Sequence, residues 1–341
     1  MNLPKTAIVI LNWNGEKLLP RFLPSVIRHT TYANVEIVVA DNASTDQSVS
    51  FVKEHYPQIR LVQLTTNYGF AQGYNEALKQ IPSDYYVLLN SDVEVTEGWL
   101  PPLLSLMLDQ PAIAAVQPKI RSYHRKDEFE YAGAAGGYID KLGFPFCRGR
   151  ILNVNEKDEG QYDQPTSIFW ASGACMAINA RLFHRAGGFD ASFWAHMEEI
   201  DLCWRLKNMG YQIFFTPGSK VYHLGGGTLS YDNPHKLYLN FRNSLWLLFK
   251  NLPRNKFYRV IFFRLALDGI AAFKLLSEFN INGFFSVFHA HMSFYRSWRR
   301  IRATRDKLKR TAPPQWHPEI LCKSIIWKFY IEGIKRFGDI R

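Results

Sequence analysis

The chain has 341 residues, of which 47% are hydrophobic and 15% aromatic, so it can bury a large core and is too apolar to be mainly disordered. Its four cysteines are widely spaced without a CxxC pair, which favours free thiols in a reducing, cytoplasmic compartment. The apolar run at residues 7–11 is too short for a signal-peptide core or a membrane span.

The net charge of +11 is concentrated at one end of the chain. Residues 236–341 contain 21 Lys and Arg against 6 Asp and Glu, a net charge of +15. Residues 1–235 contain 20 basic and 24 acidic residues, a net charge of −4. This asymmetry favours an anionic partner for the C-terminal third, either a membrane surface or nucleic acid.

The first ninety residues alternate between short apolar runs and helical patterns, which predicts an α/β domain with a parallel sheet. The predicted strands are Thr6–Leu11, Val35–Ala40, Ile59–Leu64 and Tyr85–Leu89, and the predicted helices are Lys17–His29 and Gly73–Gln80. Ligands of such sheets bind at the carboxyl ends of the strands. Four polar residues fall there: Asn12, Asp41, Asn67 and Asp92.

The middle of the chain is less regular. Residues 119–165 are rich in glycine, tyrosine and charge, and we expect loops and short strands there, not a separate domain. The later pattern predicts strands over Trp170–Asn179 and Tyr211–Thr216, the second stopped by Pro217-Gly218, and a helix over Ile200–Met209. A glycine run at 225–227, suited to the hinge of a lid, follows His223 and Leu224.

From about Lys236 the pattern predicts basic, aromatic helices. On a helical wheel of residues 257–278, charged side chains occupy one half and apolar side chains the other. This helix is amphipathic and is not a span, because spans need about 20 largely uncharged residues. Residues 296–310 add eight Lys and Arg around Trp298, which suits an anionic membrane surface. Packing on the rest of the chain, or on a second copy in a homo-oligomer, is the alternative for the apolar face.

Two groups of carboxylates indicate chemistry. Asp92 and Glu94, one residue apart at a strand end, can hold a divalent cation and leave positions open for substrate phosphates. The group Glu198-Glu199-Ile200-Asp201 can supply a general base, because crowded carboxylates raise one another's pKa. Each group by itself is also typical of a polar turn or a helix N-terminus. Together they suit a transferase that activates a diphosphate leaving group.

Four segments in this order resemble family 2 glycosyltransferases of the GT-A fold, and within them the rhamnosyltransferase-like enzymes of bacterial surface-polysaccharide synthesis. The segments are Ile8-Val9-Ile10-Leu11-Asn12-Trp13-Asn14-Gly15, Asp41-Asn42-Ala43-Ser44-Thr45-Asp46, Asn67-Tyr68-Gly69-Phe70-Ala71 and Leu89-Asn90-Ser91-Asp92-Val93-Glu94. The resemblance implies a Rossmann-like catalytic domain over residues 1–235, with a nucleotide-sugar half to about 118 and an acceptor half from about 119. A helical membrane-association region over residues 236–341 follows.

The resemblance also implies roles for single residues. Asp92 and Glu94 match the metal-binding DxD position, with Glu in place of the second Asp, and His223 matches a histidine that ligates the metal, Mg²⁺ or Mn²⁺, or contacts the diphosphate. Asp41 matches an aspartate that recognises uracil or thymine, although its segment also suits a turn and a helix cap. With Asp41 and Asp92, the nucleotide-sugar pocket is expected to contain Leu11, Asn12, Asn67, Gly69, Asn75 and Asn90.

The acidic group matches the family's Glu-Asp pair, whose second member is the catalytic base. Glu199 corresponds to that member, and Asp201 is the alternative base. The floor of the acceptor site is expected to contain Trp170, Ser172, Gly173 and Glu198, although the first three also suit a buried strand.

The activity implied by the resemblance is inverting transfer of a sugar, with rhamnose favoured, from a dTDP- or UDP-sugar to a glycan acceptor on a polyprenyl-diphosphate carrier. The protein would then act peripherally on the inner face of the cell membrane. One alternative is a nucleotidyltransferase, which also uses paired carboxylates and a metal. Another is a non-catalytic protein that binds nucleic acid or carbohydrate, but nucleic acid is disfavoured because the acidic N-terminal sites repel it and no such binding motif is present.

Overall fold

The structure, a computed structural model, describes residues 3–225 and 233–340. It has the α/β architecture predicted from the strand–helix alternation, with a large central sheet, a smaller second sheet and a C-terminal group of helices. Two of the three glycines predicted to form a hinge, Gly226 and Gly227, lie outside the described residues.

The elements up to residue 122 form most of the central sheet and the helices on its faces. The strands are β1 (Thr6–Asn12), β2 (Val35–Asp41), β3 (Arg60–Gln63), β4 (Tyr85–Asn90), β5 (Val93–Val95) and β6 (Ile113–Ser122). The helices are α1 (Leu19–Arg28), α2 (Ser48–His55), α3 (Gly69–Leu78) and α4 (Pro101–Asp109). The four strands and two helices predicted in the first ninety residues are thus confirmed, with ends shifted by a few residues.

The second half adds shorter strands and most of the helices. The strands are β7 (Gly137–Asp140), β8 (Pro145–Cys147), β9 (Arg150–Ile151), β10 (Val154–Asn155), β11 (Thr166–Ile168), β12 (Cys175–Asn179), β13 (Gln212–His223) and β14 (Ile320–Leu321). The helices are α5 (Ala180–Arg185), α6 (Glu198–Asn208), α7 (Pro234–Asn251), α8 (Arg254–Ser277), α9 (Ile281–Arg296), α10 (Trp298–Thr311) and α11 (Ile325–Tyr330).

The central sheet runs in the order β11-β13-β6-β12-β4-β1-β2-β3, and β5 pairs with β13. Strands β3, β2, β1 and β4 are parallel, whereas β12 lies antiparallel between β4 and β6. The register pairs Asn12 with Asp41, and Leu11 with Asn90. The carboxyl ends of these parallel strands therefore bring their polar residues to one edge of the sheet.

Strand β13 is longer than the sequence predicts. The prediction that Pro217-Gly218 ends the strand is wrong, because β13 continues to His223. Its pairing with β6 is irregular between Thr216 and Lys220, and a proline without an N–H is tolerated where the hydrogen-bond ladder is interrupted. The extension pairs β13 with β5 and carries His223 to the end of the sheet where Asp92 lies.

A second sheet, in the order β10-β9-β8-β7-β14, forms in the glycine-rich middle region. Gly137 begins β7 directly against the indole of Trp170, where an added Cβ would lie 2.1 Å from a ring atom. The edge strand β14 comes from the C-terminal segment, and Phe337 packs on Tyr138 and Phe146. The C-terminal segment thus adds an edge strand to the sheet of the glycine-rich middle region.

The first C-terminal helix, α7, is part of the main core. Its residues Leu245, Trp246 and Leu247 are buried in the same hydrophobic cluster as residues of β1, β4 and β12. The boundary predicted near residue 235 therefore does not mark an interruption in the packing. The domain division itself stays a prediction.

Helix α8 buries residues from both halves of its helical wheel, since Ile261 and Ala272 of the apolar half are buried together with two charged residues. Arg264 and Asp268 are 4% and 1% exposed and form an ion pair of 2.8 Å, and Arg264 also donates to Ser244 of α7. Phe262 and Phe273 are 68% and 69% exposed. Buried charges need partners, and the facing helix α7 supplies one of them. Within residues 3–225 and 233–340, no helix has both the length and the apolarity required to cross a bilayer.

Candidate active site

Asn12 and Asp41 lie side by side at the ends of β1 and β2. The amide of Asn12 donates to Asp41 Oδ1 at 2.9 Å and to the hydroxyl of Ser48 at 2.9 Å. The second oxygen, Asp41 Oδ2, accepts the backbone N–H of Ser44 at 3.0 Å, which is the turn suggested by the sequence. The carboxylate is thus fixed in orientation at the strand-end edge.

Asn42, which no sequence motif marked as a site residue, joins the loop after β2 to the loop after β3. Its amide donates to Asn67 Oδ1 and to the carbonyl of Gly69, each at 3.0 Å, and its Oδ1 accepts the N–H of Tyr68 at 3.0 Å. Gly69 has a φ of +71° and would bring an added Cβ within 2.7 Å of the Trp194 indole. The loop after β3 is therefore packed against the segment that precedes α6.

Asn75 joins α3 to the chain before α6. Its amide donates to the carbonyl of Phe189 at 2.8 Å, and its Oδ1 accepts the N–H of Phe189 at 2.9 Å. The predicted role of Asn75 in the nucleotide-sugar pocket stays a prediction.

Asp92, His223 and Glu130 form a buried row. His223 Nε2 lies 3.2 Å from Asp92 Oδ1, and His223 Nδ1 lies 3.1 Å from Glu130 Oε2. Although burial opposes protonation, the two carboxylates raise the pKa of His223 well above its usual value. Burial also opposes ionisation of Asp92, but His223 outweighs it and lowers the pKa of that carboxyl. Nothing in the sequence pattern indicated Glu130.

Glu94 does not join this row. Its carboxylate forms an ion pair with Lys126 at 2.7 Å, and it pairs in register with Tyr222, whereas Val93 and Val95 of the same strand are buried. Side chains alternate along a strand, so Glu94 and its buried neighbours point to opposite faces. Among the described residues, no group of three or more His, Cys, Asp or Glu side chains is arranged to hold a metal ion.

The acidic group at the start of α6 follows a strained turn. Trp194, His196 and Met197 have φ angles of 65°, 69° and 73°, in the left-handed region that non-glycine residues rarely adopt. Such strain persists only where the surrounding structure enforces it, and it is concentrated at functional sites. Glu198 and Glu199 follow directly and begin α6.

Burial raises the pKa of both glutamates. It raises the pKa of Glu199 to about 7. Burial and the neighbouring Glu199 and Asp201 raise the pKa of Glu198 well above its usual value. In the described chain, the Oε2 atoms of both side chains are buried without a hydrogen-bond partner. A pKa near 7 allows Glu199 to exchange a proton near neutral pH.

Asp201 is occupied by structural partners. One oxygen accepts Arg205 Nε at 2.8 Å, and the other contacts Lys250 Nζ at 2.9 Å and Asn251 Nδ2 at 2.8 Å. It is fully buried. Its contacts leave no free oxygen facing a substrate, which favours Glu199 over Asp201 as the base.

Helix α7 supports the strained turn, a contact that the sequence did not reveal. Asn243 Nδ2 lies 3.0, 2.8 and 2.7 Å from the carbonyl oxygens of Phe193, Ala195 and His196. The carbonyl of Trp194 in turn accepts the N–H groups of Phe70 and Ala71 at the start of α3. The turn before the glutamates is thus bound from both sides.

The residues predicted for the acceptor floor are mostly engaged within the protein. Trp170 is buried and donates from Nε1 to the carbonyl of Tyr138 at 3.0 Å. Ser172 is buried, and its N–H donates to Gln117 Oε1 at 2.8 Å. Gly173 is half-buried, with the ring of Phe70 3.2 Å from an added Cβ. These residues precede β12, which begins at Cys175, so the predicted start of this strand at Trp170 is too early. Their role in the acceptor site stays a prediction.

The start of α7 lies near both the row of Asp92, His223 and Glu130 and the strained turn before Glu198. Lys236 interacts electrostatically with Glu130, which contacts His223, and with His196, two residues before Glu198. Burial and this positive neighbour lower the pKa of His196 to about 4, so His196 is neutral. The start of α7 thus lies near residues of both carboxylate groups, Glu130 of the buried row and His196 of the strained turn.

Sequence comparison fits this geometry. The profile of Glycosyl transferase family 2 matches residues 7–187, which is more than half of the chain. The chain belongs to glycosyl transferase family 2.

The relatives of this glycosyltransferase include enzymes of polysaccharide synthesis. It is 27% identical over 234 residues to the N-acetylglucosaminyl-diphospho-decaprenol L-rhamnosyltransferase of Mycobacterium tuberculosis, covering 63% of this chain and 75% of that one. It is 26% identical over 223 residues to the O-antigen biosynthesis protein RfbC of Myxococcus xanthus, covering 64% of this chain but 17% of that protein. The predicted family and enzyme class are confirmed.

Solved structures confirm the GT-A fold of the glycosyltransferase. GalNAc-T7 with UDP, GalNAc and Mn²⁺ superposes with a TM-score of 0.57 at 19% identity, over 73% of this chain and 49% of that chain. The chain thus spans about half of that structure. The mannosyltransferase PcManGT from Pyrobaculum calidifontis, in complex with GDP-Man and Mn²⁺, superposes with a TM-score of 0.52 at 16% identity, over 90% and 81%.

Proposed function

We propose that this glycosyltransferase transfers a sugar, with rhamnose favoured, from a dTDP- or UDP-sugar to a lipid-linked glycan acceptor in surface-polysaccharide synthesis, with inversion at the anomeric carbon. The similarity to a rhamnosyltransferase named for a diphospho-decaprenol acceptor supports the substrate classes. The observation that carries the chemistry is Glu199, a carboxylate with a pKa of about 7 and an unpartnered oxygen beside the strained turn.

In this proposal Glu199 is the general base. A base works best when its pKa lies near the operating pH, and burial places Glu199 there. Glu199 removes the proton of the acceptor hydroxyl, and the oxygen attacks the anomeric carbon from the side opposite the departing diphosphate. Glu198, whose pKa is raised by burial and by its acidic neighbours, can donate a hydrogen bond when protonated and remains a proposed acceptor contact.

We further propose Asp92 and His223 as the ligands of a Mg²⁺ or Mn²⁺ ion. Two ligands bound side by side to one ion at about 2.1 Å are about 3 Å apart. Asp92 Oδ1 and His223 Nε2 are 3.2 Å apart, so the pair fits once His223 is neutral. When bound, the ion would neutralise charge that develops on the leaving diphosphate. Glu94 is left out of this ligand set because Lys126 already pairs with it.

The nucleotide would bind along the strand-end edge. Asp41, oriented by Asn12 and Ser44, is the proposed acceptor for the N3–H of the base. Leu11 and Asn90, paired in register, and Gly69 with Asn67 lie at the ends of the same strands or in the loops that follow. Asn75 has a positioning role, through the backbone of Phe189.

The test is product analysis with the purified full-length chain. A panel of UDP-, dTDP- and GDP-sugars is incubated with Mg²⁺ or Mn²⁺, and released nucleoside diphosphate and pyrophosphate are measured. Release of nucleoside diphosphate, stimulated by metal and weakened in Asp92→Ala, is expected. Release of pyrophosphate would instead identify a nucleotidyltransferase, and activity indifferent to chelators would reject the metal.

We also propose that the C-terminal helices bind an anionic membrane surface. Several large apolar side chains of α8, α9 and the turn between them are exposed: Phe262, Phe263, Ile270, Phe273, Phe279, Ile281, Phe285 and Phe288. We call these residues the apolar hairpin surface. It lies beside the basic residues of α10, a combination that suits insertion below anionic headgroups.

Flotation with anionic liposomes tests this surface. The double variant Phe262→Ser/Phe273→Ser should bind at least about tenfold more weakly, since burying each ring contributes roughly 1.5–3 kcal/mol. The control is Tyr330→Ser/Ile331→Ser, two residues that are 63% and 64% exposed outside the hairpin. Equal flotation of both variants would contradict membrane binding by this surface. If the wild type also sediments as a homo-oligomer and the Phe262→Ser/Phe273→Ser variant does not, the surface is a subunit interface.

A further inference from the structure

A cavity of about 570 Å³ opens between the first turns of α7 and helix α9. Its volume is within the usual range of small-molecule sites. The polar residues that line it are mainly cationic or neutral: His235 and Tyr238 from α7, and His289, Ser293 and Arg296 from α9. None of the described residues that line it is acidic.

The cations of this cavity are available for a ligand. Within the described chain, Arg296 and His289 form no ion pair, and the Arg296 side chain is exposed. A guanidinium presents several N–H donors in a planar fork that matches phosphate oxygens. Arg296, with two imidazoles in the same cavity and no acidic side chain among the described lining residues, is suited to a phosphate or diphosphate group.

The cavity adjoins the apolar hairpin surface. The ring of His289 lies 6.2 Å from that of Phe285 and 6.0 Å from that of Phe288. Both phenylalanines are about half exposed, and the surface continues to Phe279, which is 91% exposed. A cationic cavity that opens onto an exposed apolar surface matches an amphiphile with an anionic head and a hydrocarbon tail.

The other side of the cavity approaches the carboxylates of the site. His235 lies next to Lys236, and both interact electrostatically with His196, two residues before Glu198. Lys236 also interacts with Glu130, the neighbour of His223. Helix α7 thus contributes both His235 to the cavity and Asn243 to the turn that precedes the α6 glutamates.

We propose that this cavity binds the diphosphate of a polyprenyl-diphosphate-linked acceptor, with the isoprenoid chain on the apolar hairpin surface. The inference rests on the proposed function for the identity of the acceptor. It assigns Arg296 and His289 as binding residues of the acceptor diphosphate. The helices that bind the membrane would then also receive the substrate from it.

The test compares two acceptors for the full-length enzyme. One carries the acceptor sugar on farnesyl diphosphate, and the other carries the same sugar on a neutral octyl group. Arg296→Ala should raise KM for the diphosphate acceptor about tenfold, as expected for loss of charge-assisted hydrogen bonds, with little change for the octyl glycoside. The matched control is Arg299→Ala, an exposed arginine at the start of α10 outside the cavity, which should change KM less than twofold.

Other outcomes distinguish the inference from a general charge effect, from a structural role of Arg296 and from the proposed function. Equal KM changes for Arg296→Ala and Arg299→Ala would show a general charge effect, and equal losses with both acceptors would show a structural role for Arg296. Binding of farnesyl diphosphate by calorimetry separates the two proposals. If no acceptor is glycosylated but wild type binds farnesyl diphosphate and Arg296→Ala does not, the proposed function fails and the cavity stands. If Arg296→Ala lowers flotation with phosphatidylglycerol vesicles yet binds farnesyl diphosphate normally, the cavity binds the head groups of membrane phospholipids. The inference is then wrong.

Discussion

The strand-end edge and the start of α6 position their polar side chains in different ways. At the edge, Asn12 and Asp41 meet because β1 and β2 are parallel and in register, so two short local patterns are enough to place them. At α6, Asp201 and the strained turn are held by α7, through Lys250, Asn251 and Asn243. The proposed nucleotide site thus depends on the sheet, whereas the proposed base depends on a helix from beyond the family match, which ends at residue 187.

The largest expected effect separates the two glutamates of α6. Glu199→Gln should lower the transfer rate by about 10²-fold or more while donor binding is retained, because a general base is removed. Glu198→Gln is the control, since burial and its acidic neighbours raise the pKa of this carboxyl and an amide mimics its protonated form. Steady-state kinetics and donor calorimetry measure both. A severe loss in Glu198→Gln with an active Glu199→Gln would reverse the assignment.

Removing the α7 cation should destabilise the fold. Lys250 is 3% exposed at its side chain and contacts both Asp190 and Asp201, so Lys250→Met leaves two buried carboxylates with fewer partners. We expect a loss of about 3 kcal/mol in the free energy of unfolding, measured in urea. Lys274→Met removes an exposed ion pair with Glu278 and should leave the midpoint unchanged. Similar midpoints for both variants would show that α7 does not support α6.

The pH dependence of the rate tests the environment of Glu199. Burial raises its pKa to about 7, and a base must be ionised, so the rate should fall about tenfold per pH unit below that value. This fall in rate at acidic pH, the acidic limb of the pH–rate profile, should be absent in Glu199→Gln. A limb centred near pH 4.5 would mean that the carboxyl is solvated during the reaction and that the buried arrangement does not set its pKa.

The smallest effect concerns the link between α7 and the strained turn. Asn243→Ala removes the donor to three turn carbonyls, and we expect kcat to fall about tenfold with donor KM unchanged, because each hydrogen bond contributes about 1 kcal/mol. If the turn buries Glu199, loosening it should lower the pKa of Glu199. The acidic limb of the pH–rate profile should then shift toward lower pH as kcat falls. Asn255→Ala, an exposed change on α8, is the control. A normal rate and limb in Asn243→Ala would assign the turn's geometry to α3 alone.

The predicted metal ligands Asp92, Glu94 and His223 do not all lie together. His223 lies beside Asp92, whereas Glu94 pairs with Lys126, because side chains alternate along β5. His223 reaches Asp92 only because β13 continues past Pro217. Glu130, which completes the row, lies in a glycine-rich region without periodicity, so no sequence signal identified it.

The helical wheel of α8 did not predict which residues would be buried. The buried face includes Arg264 and Asp268 from the charged half and Ile261 and Ala272 from the apolar half. Arg264 and Asp268 are buried because Ser244 of α7 and the ring of Phe144 meet the guanidinium, whereas Phe262 and Phe273 are left exposed. The orientation of an amphipathic helix depends on the surface that it packs against.

By itself, the sequence determined the parallel sheet, its strand-end polar residues, the family and the acidic start of α6, because each depends on a periodic or contiguous pattern. Only the tertiary structure showed that Glu130 lies beside His223, that α7 supplies the partners of Asp201, and that burial raises the pKa of both Glu198 and Glu199. These differences arise from burial and from contacts between distant segments. A pKa or an ion pair depends on which groups surround a side chain in space, and no local spacing encodes that.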